Sequence, residues 1–370
     1  MITAYLNRIA TAVPDDDVHE AFVAFADQML GDAANPAAAR VQPVFRRMAT
    51  RSGIRRRYSV LTPQEHLSAN GARTEFTINA HEFYTRGRFP STADRMQVFE
   101  KHAPRLMRNA LDRLRLSDAE RDGITHVLVT CCTGLYAPGL DFEAVDHLGL
   151  DPSVERTMIG FMGCYAAING LKQARHIVRS EPAAKVLLIN LELCSLHLQE
   201  TEDLEQVLSF LVFGDGCAVS LISAEPTGFA LDSFRAVMLP ETRGLITWRI
   251  GAGGFDMFLS GQVPPSIAHG LGQASGEVLG TRRKEEIALW AVHPGGRTVL
   301  DAVERGLGLA PEALAASRQT LECFGNMSSA TVMFVLARLM QTAQPGQLGC
   351  AMSFGPGLTA ETMLFHAAEA

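Results

Sequence analysis

Two hydrophobic patterns alternate along this chain. Nearly unbroken apolar runs, as at 125–132 and 185–193, read as strands buried on both faces. Between them stand stretches with apolar residues at helical spacing. The clearest is 165–179, where Ala167, Ile168, Leu171, Ala174 and Val178 share one face. Strands are expected at 4–13, 125–132, 155–160, 185–193, 287–292 and 349–353, the first broken by Pro14. Helices are expected at about 104–116, 141–148, 165–179 and 328–340, with mixed helix and loop over 15–50. Gly214-Asp215-Gly216 and Phe354-Gly355-Pro356-Gly357 read as tight turns at the ends of core strands. Strand, turn and helix in alternation predict an α/β fold.

The C-terminal third repeats this grammar. Gly163-Cys164 and Gly325-Asn326 each place a glycine and a reactive or polar residue just ahead of a small-residue helix start. The repetition suggests internal duplication, with halves at 1–225 and 226–370.

Composition narrows the picture. The chain has 370 residues, 47% of them hydrophobic, enough for a large buried core. A net charge of -7 argues against a nucleic-acid partner. The longest apolar runs, 186–193 and 209–213, are too short to cross a bilayer, so no membrane partner is expected. The opening MITAYLNRIATAVPDDD lacks the basic and apolar regions of a secretory signal. Seven cysteines contain no C-x-x-C pair, so no metal site is expected, and a reduced cytoplasm is the expected compartment.

Three residues carry candidate chemistry. Cys164 stands at a predicted helix entrance, where unpaired N–H groups favour negative charge, lower a thiol pKa and activate a nucleophile. The competing reading is an ordinary buried thiol. His293, at a strand end before Pro-Gly-Gly, can pair with a thiolate or donate to an oxyanion, or be a plain loop histidine. Asn326 can donate its amide to a carbonyl oxygen, or serve as a helix cap. A papain-like hydrolase is disfavoured, because Cys164 lacks that family's local sequence and position near the N-terminus. No phosphate-binding G-x-x-x-x-G-K-[ST] or dinucleotide-binding G-x-G-x-x-G motif is present. The basic stretch Arg46–Arg57 is either a solvated face or a grip on coenzyme phosphates.

Taken together, Gly163-Cys164, Phe213-Gly-Asp-Gly, His293-Pro-Gly-Gly, Gly325-Asn-Met-Ser-Ser-Ala and Phe354-Gly-Pro-Gly-Leu-Thr resemble the type III polyketide synthases, the chalcone synthase superfamily, in order and spacing across essentially the whole chain. The resemblance implies a thiolase-like α/β fold, five-layered αβαβα from two duplicated halves, and a homodimer. It implies iterative decarboxylative condensation of malonyl-CoA onto an acyl-CoA starter through a cysteine-bound thioester. Cyclisation to a pyrone, resorcinol or phloroglucinol type of product would follow. CoA thioesters would be substrates, with no resident cofactor and no metal.

On the same resemblance, Cys164 is the nucleophile, and His293 and Asn326 polarise the thioester carbonyl and promote decarboxylation. Phe213 and Met257 stand at gatekeeper positions, and a thioether at 257 admits a different starter from a ring. Cys132, Thr133, Cys194, His197 and Ser328 fall in the substrate cavity. His197 either orients a polyketide carbonyl or packs against the wall. Arg47, Arg51, Gly295 and Thr298 fall near the coenzyme, while Val44 stands where the family has a third basic residue. Ala137 takes the place of a methionine that reaches across the dimer interface. Phrases such as Glu-Leu-Cys-Ser-Leu-His are similar to bacterial members, many of which use fatty acyl starters, and small residues near the cavity favour that choice. The alternatives are a single-condensation enzyme like ketoacyl synthase III or hydroxymethylglutaryl-CoA synthase, and a catalytically silent binding protein of the same fold.

Overall fold

In the computed structural model, which describes residues 2–31, 36–67, 73–78, 83–85, 87–201 and 203–369, nine strands form the main sheet. Its order runs Leu289–Val292, Leu348–Gly355, Thr359–Ala367, Phe229–Met238, Tyr5–Ala12, Asp215–Ser223, Lys185–Leu193, Ile124–Cys131 and Glu155–Gly160. Numbered in chain order within each part, the strands up to Ser223 lie 3-2-4-5-1 and those from Phe229 onward lie 2-3-4-1. In both parts the first strand is antiparallel to the last, the last antiparallel to the one before it, and that one parallel to the second. A short antiparallel pairing, Tyr5 with Ala230 and Leu6 with Phe229, joins the parts.

Strand alternation sorts the core into layers. Leu128 packs in a central cluster while its neighbours Val127 and Val129 pack in an outer one. The central cluster holds Ile168, Leu171 and Val178 from the helix Ala166–Ser180 and Val332, Met333 and Val335 from the helix Ala330–Met340. It also takes Leu188 and Ala218 from one part, and Ala351 and Phe365 from the other. Ala330–Met340 is buried continuously from Ala330 to Leu336, as a helix enclosed by protein must be. On one outer face the helix Thr92–Leu114 buries Phe99, Met107 and Leu111. On the other, Val263–Leu279 and Arg297–Leu307 bury Ile267, Leu271, Leu300 and Val303. The layers are therefore helix, sheet, helix, sheet, helix.

Two expectations need correction. The helix expected from residue 104 begins at Thr92, where Ser91 and Asp94 form a reciprocal cap, and Pro104 lies buried within it. Gly214-Asp215-Gly216 is not a turn: Asp215 opens the strand Asp215–Ser223. Its buried carboxylate accepts from Val60 N at 2.9 Å, Ser195 N at 2.8 Å and Ser195 Oγ at 2.6 Å. Those bonds replace the water it loses on burial.

Candidate active site

Cys164 lies in the single 3-10 turn Gly163–Tyr165, which runs into the helix Ala166–Ser180. Gly163 has φ +70, and a Cβ there would fall 2.4 Å from Pro356 Cδ. Only glycine lets the C-terminal loop press against this turn. His293 follows the strand Leu289–Val292, its amide fixed to Met352 O at 2.8 Å. The ring is buried, and neither nitrogen has a hydrogen-bond partner.

Asn326 is held by its backbone to the Phe213 segment: its N–H donates to Val212 O at 2.7 Å and its carbonyl accepts from Gly214 N at 2.9 Å. Asn326 Oδ1 accepts from Ser328 N at 2.8 Å, which fixes the amide orientation. Nδ2 donates to Gly295 O at 3.2 Å and keeps one further N–H to give.

Cys164, His293 and Asn326, brought from three distant segments, line one cavity. Cys132, Thr133, Cys194 and Ser328 also line it, as do Phe213 and Met257. Most of the remaining wall is apolar, including Ile246, Trp248, Val263, Ile267 and Phe354. Met257 and Trp248 are cross-strand partners in the hairpin Ile246–Gly251 and Gly254–Leu259. The Trp248 indole donates to Cys132 O at 2.7 Å. A second, outer cavity shares Leu259, Val263, Gly295 and Val299 with the first and adds Arg51, Arg297 and Thr298.

Some expected residues sit elsewhere. Arg47 is exposed on the helix Pro36–Arg51 and lines neither cavity. His197 does not line the cavity either. Its Nε2 donates to Thr133 O at 2.6 Å, its Nδ1 accepts from Phe255 N at 3.1 Å, and the ring stacks on Phe255 with centroids 4.4 Å apart. With both nitrogens used, it braces the hairpin from behind and has nothing left for a substrate carbonyl. Ala137 is exposed, before a cis Pro138, outside the cavity.

Trp248, Arg297 and Glu192 join the site without a motif that marks them. Glu192 was signalled by being the one carboxylate inside the apolar run 185–193. It is fully buried and accepts from Cys132 N at 2.9 Å, Thr133 Oγ1 at 2.8 Å and Ser329 Oγ at 2.6 Å.

Burial dominates the electrostatics. It drives the Cys164 thiol up to about 12, against hydrogen bonds from Ser328 and Asn326, and the nearby Glu192 pushes the same way as burial. The expected lowering by the helix entrance is therefore not what the site delivers alone. Burial also drives the His293 imidazole down to about 3. Each charge is costly by itself, so transferring the proton from sulfur to imidazole creates two charges that stabilise each other. Replacing His293 with alanine is expected to slow iodoacetamide alkylation of Cys164 at pH 7 by about tenfold or more, with the gap closing at high pH. Equal rates at pH 7 would show that the thiol ionises without the imidazole.

Burial raises the Glu192 carboxyl from 4.5 to about 7. The folded state thus holds a proton that the unfolded chain gives up above 4.5. This contribution to stability is complete below 4.5 and is lost as the pH rises through 7. Between those limits, Glu192→Gln is expected to remove on the order of 3 kcal/mol of pH dependence, measured by urea unfolding. An unchanged slope would overturn burial as the cause.

A thiol, an imidazole and an oriented amide meet at the seam of this five-layered fold, an arrangement suited to a thioester-condensing acyltransferase. Residues 2–226 match the model for the N-terminal domain of chalcone and stilbene synthases, and residues 230–369 match that for the C-terminal domain. The chain belongs to this family, the type III polyketide synthases, which condense malonyl-CoA iteratively. It is 37% identical over 295 residues to the alpha-pyrone synthesis polyketide synthase-like Pks18 of Mycobacterium tuberculosis, covering 75% of this chain and 74% of that protein. It is 32% identical over 345 residues to bisdemethoxycurcumin synthase of Oryza sativa subsp. japonica, covering 87% and 83%. PKS-I from the brown alga Ectocarpus siliculosus superposes with a TM-score of 0.86 at 30% identity, over 99% of both chains. For 1,3,6,8-tetrahydroxynaphthalene synthase from Streptomyces coelicolor A3(2), the TM-score is 0.82 at 26% identity, over 99% of this chain and 100% of that one.

Proposed function

We propose that this synthase extends a fatty acyl-CoA starter with malonyl units on Cys164 and releases a cyclised product of the pyrone or resorcinol type. The observation that carries this reading is the cavity itself: three polar catalytic groups face walls that are otherwise largely apolar. An alkyl chain is desolvated there at little cost. The alpha-pyrone synthesis in the name of the Mycobacterium tuberculosis relative favours the pyrone among possible ring closures.

Chemistry follows from the groups present. The Cys164 thiolate attacks the starter carbonyl, and CoA departs as a thiol carrying the proton that His293 had taken. Malonyl-CoA then places its thioester oxygen against the His293 and Asn326 N–H groups. Carbon dioxide leaves, and its bonding electrons enter an enolate stabilised by those donors. The enolate carbon attacks the Cys164 thioester and expels the thiolate, leaving a chain longer by two carbons on CoA. Return of that chain to Cys164 begins the next round. The carbanion comes from decarboxylation, so CoA thioesters are the only small molecules required and no resident cofactor is invoked. Arg51, Arg297, Thr298 and Gly295 in the outer cavity suit the coenzyme portion.

The working unit in this reading is a cytoplasmic homodimer. At one end of the main sheet, the edge strand Glu155–Gly160 leaves Glu155 to Met158 exposed, and Leu135 and Phe142 add apolar surface. An open edge with apolar neighbours is suited to a second copy. Ala137 lies on the adjoining loop, where a partner would meet it. Light scattering on the purified protein is expected to give twice the chain mass, with Met158→Glu shifting it toward one. A wild-type monomer would overturn the assembly.

The deciding experiment on activity supplies malonyl-CoA with a panel of acyl-CoA starters and identifies products by mass spectrometry. Wild type is expected to yield malonyl-derived pyrones or resorcinols from fatty acyl starters, and Cys164→Ala to yield none while unfolding like wild type. Products from malonyl-CoA alone would overturn the starter class, and wild-type product formation by Cys164→Ala would overturn the covalent mechanism.

A further inference from the structure

The C-terminal end of the helix Leu204–Val212 stands between the two cavities: Val212 lines the outer one, and Phe210 and Phe213 line the inner one. A helix end leaves its last carbonyls without partners inside the helix. Two residues from distant parts of the chain take them here. Asn326 N–H donates to Val212 O at 2.7 Å. Arg57 Nη1 donates to Phe210 O at 2.9 Å and, just past the helix, to Phe213 O at 2.7 Å. A guanidinium at this end also meets the negative pole of the helix dipole.

Arg57 is itself held on several sides. It is 2% exposed, its Nε donates to His19 Nδ1 at 3.1 Å, and its guanidinium lies 4.3 Å over the Phe22 ring. Its backbone N–H donates to Asp17 Oδ1 at 3.1 Å. Burial lowers Arg57 to about 9, against the carboxylates of Asp17 and Asp215, so the cation is kept at a cost. An apolar side chain of the same volume would fill the space without that cost, but would leave both carbonyls without this anchor.

Arg57 meets the segment of the oriented amide by a second path. Gly325, directly before Asn326, has φ +68, and a Cβ there would fall 2.8 Å from Arg57 Cγ and 2.7 Å from Val212 O. Phe213 and Asn326 also pair as a backbone bridge, closed by Gly214 N donating to Asn326 O at 2.9 Å. The backbone of Asn326 is thus packed against the Arg57 stem and bonded to the helix end that Arg57 caps. Cys164 and His293 are carried elsewhere, by the turn Gly163–Tyr165 and the end of the strand Leu289–Val292.

Resting on the mechanism proposed above, we propose that Arg57 is a positioning residue for malonyl decarboxylation. It touches no substrate. By capping the end of the helix Leu204–Val212 and packing against Gly325, it fixes the backbone from which the Asn326 amide reaches the malonyl thioester oxygen. Its effect on the reaction therefore passes through Asn326.

The test measures decarboxylation of malonyl-CoA to acetyl-CoA by the full-length enzyme without a starter, the enolate taking its proton from water. Arg57→Lys keeps the charge but replaces a fixed fork with a single flexible donor. It is expected to lower kcat by about tenfold while KM stays within about twofold. In an Asn326→Ala background the same change is expected to lower kcat by less than about twofold, because the amide it positions is gone. A tenfold loss in both backgrounds is the mark of a general structural defect and would overturn the proposal, as would a wild-type kcat for Arg57→Lys. If urea unfolding shows that Arg57→Lys does not fold, His19→Leu takes its place. That change removes only the acceptor of Arg57 Nε and is expected to lower kcat by about threefold, with the same dependence on Asn326. An unchanged kcat, or an equal loss without Asn326, overturns the proposal here too. Asn326→Ala at the wild-type rate would sink the mechanism above and the role of Arg57 with it. A slow Asn326→Ala enzyme with equal Arg57 factors sinks the role of Arg57 alone.

Discussion

The catalytic geometry depends on one buried carboxylate that spans the seam between the two parts of the molecule. Glu192 ends a strand of the first part and binds the Cys132 and Thr133 loop with one oxygen. With the other it accepts from Ser329, which follows Asn326 and Ser328 in the second part. The loop under the cavity and the segment carrying the oriented amide are thereby referenced to the same side chain. Its cost is considerable, since a buried carboxylate must replace every lost water contact. Serine, threonine and a backbone N–H do so here, which makes the polar seam a register as much as a source of stability.

Burial organises the chemistry in the same way. Cys164 and His293 sit where either charge alone is penalised, so in the proposed mechanism reactivity belongs to the pair. Apolar walls keep water from an enolate that would otherwise be protonated and lost. The amide of Asn326 needs no reorganisation when charge develops, because Ser328 N already fixes its orientation. A strong base is unnecessary, since carbon dioxide departure generates the nucleophile.

Much of this was legible in the sequence, for identifiable reasons. Strands enclosed by protein are apolar on both faces, so 125–132 and 185–193 stood out, and glycines before Cys164 and Asn326 marked tight chain approaches. Other features depend on contacts that spacing along the chain does not reveal. In sequence Pro104 looks like the start of the long helix Thr92–Leu114, whereas the Ser91 and Asp94 cap sets the true one. His197 looked available because its partners, Thr133 O and Phe255 N, are backbone atoms from distant segments. Arg57 was one arginine in a basic run. Its neighbours Arg55 and Arg56 are exposed while it is buried, a distinction that only the packing of Phe22 and the Phe210–Phe213 segment creates.

The hairpin carrying Trp248 and Met257 forms a two-stranded sheet of its own, outside the nine-stranded one. Residues on it therefore contribute to the shape of the cavity without belonging to the ladder that connects the two parts. Substitutions there reshape the cavity wall, while Cys164, His293 and Asn326 stay anchored on the main sheet and its helices. Such a separation makes the architecture evolvable: a lineage can drift from one product to another by retailoring a detachable panel, leaving the reaction itself intact.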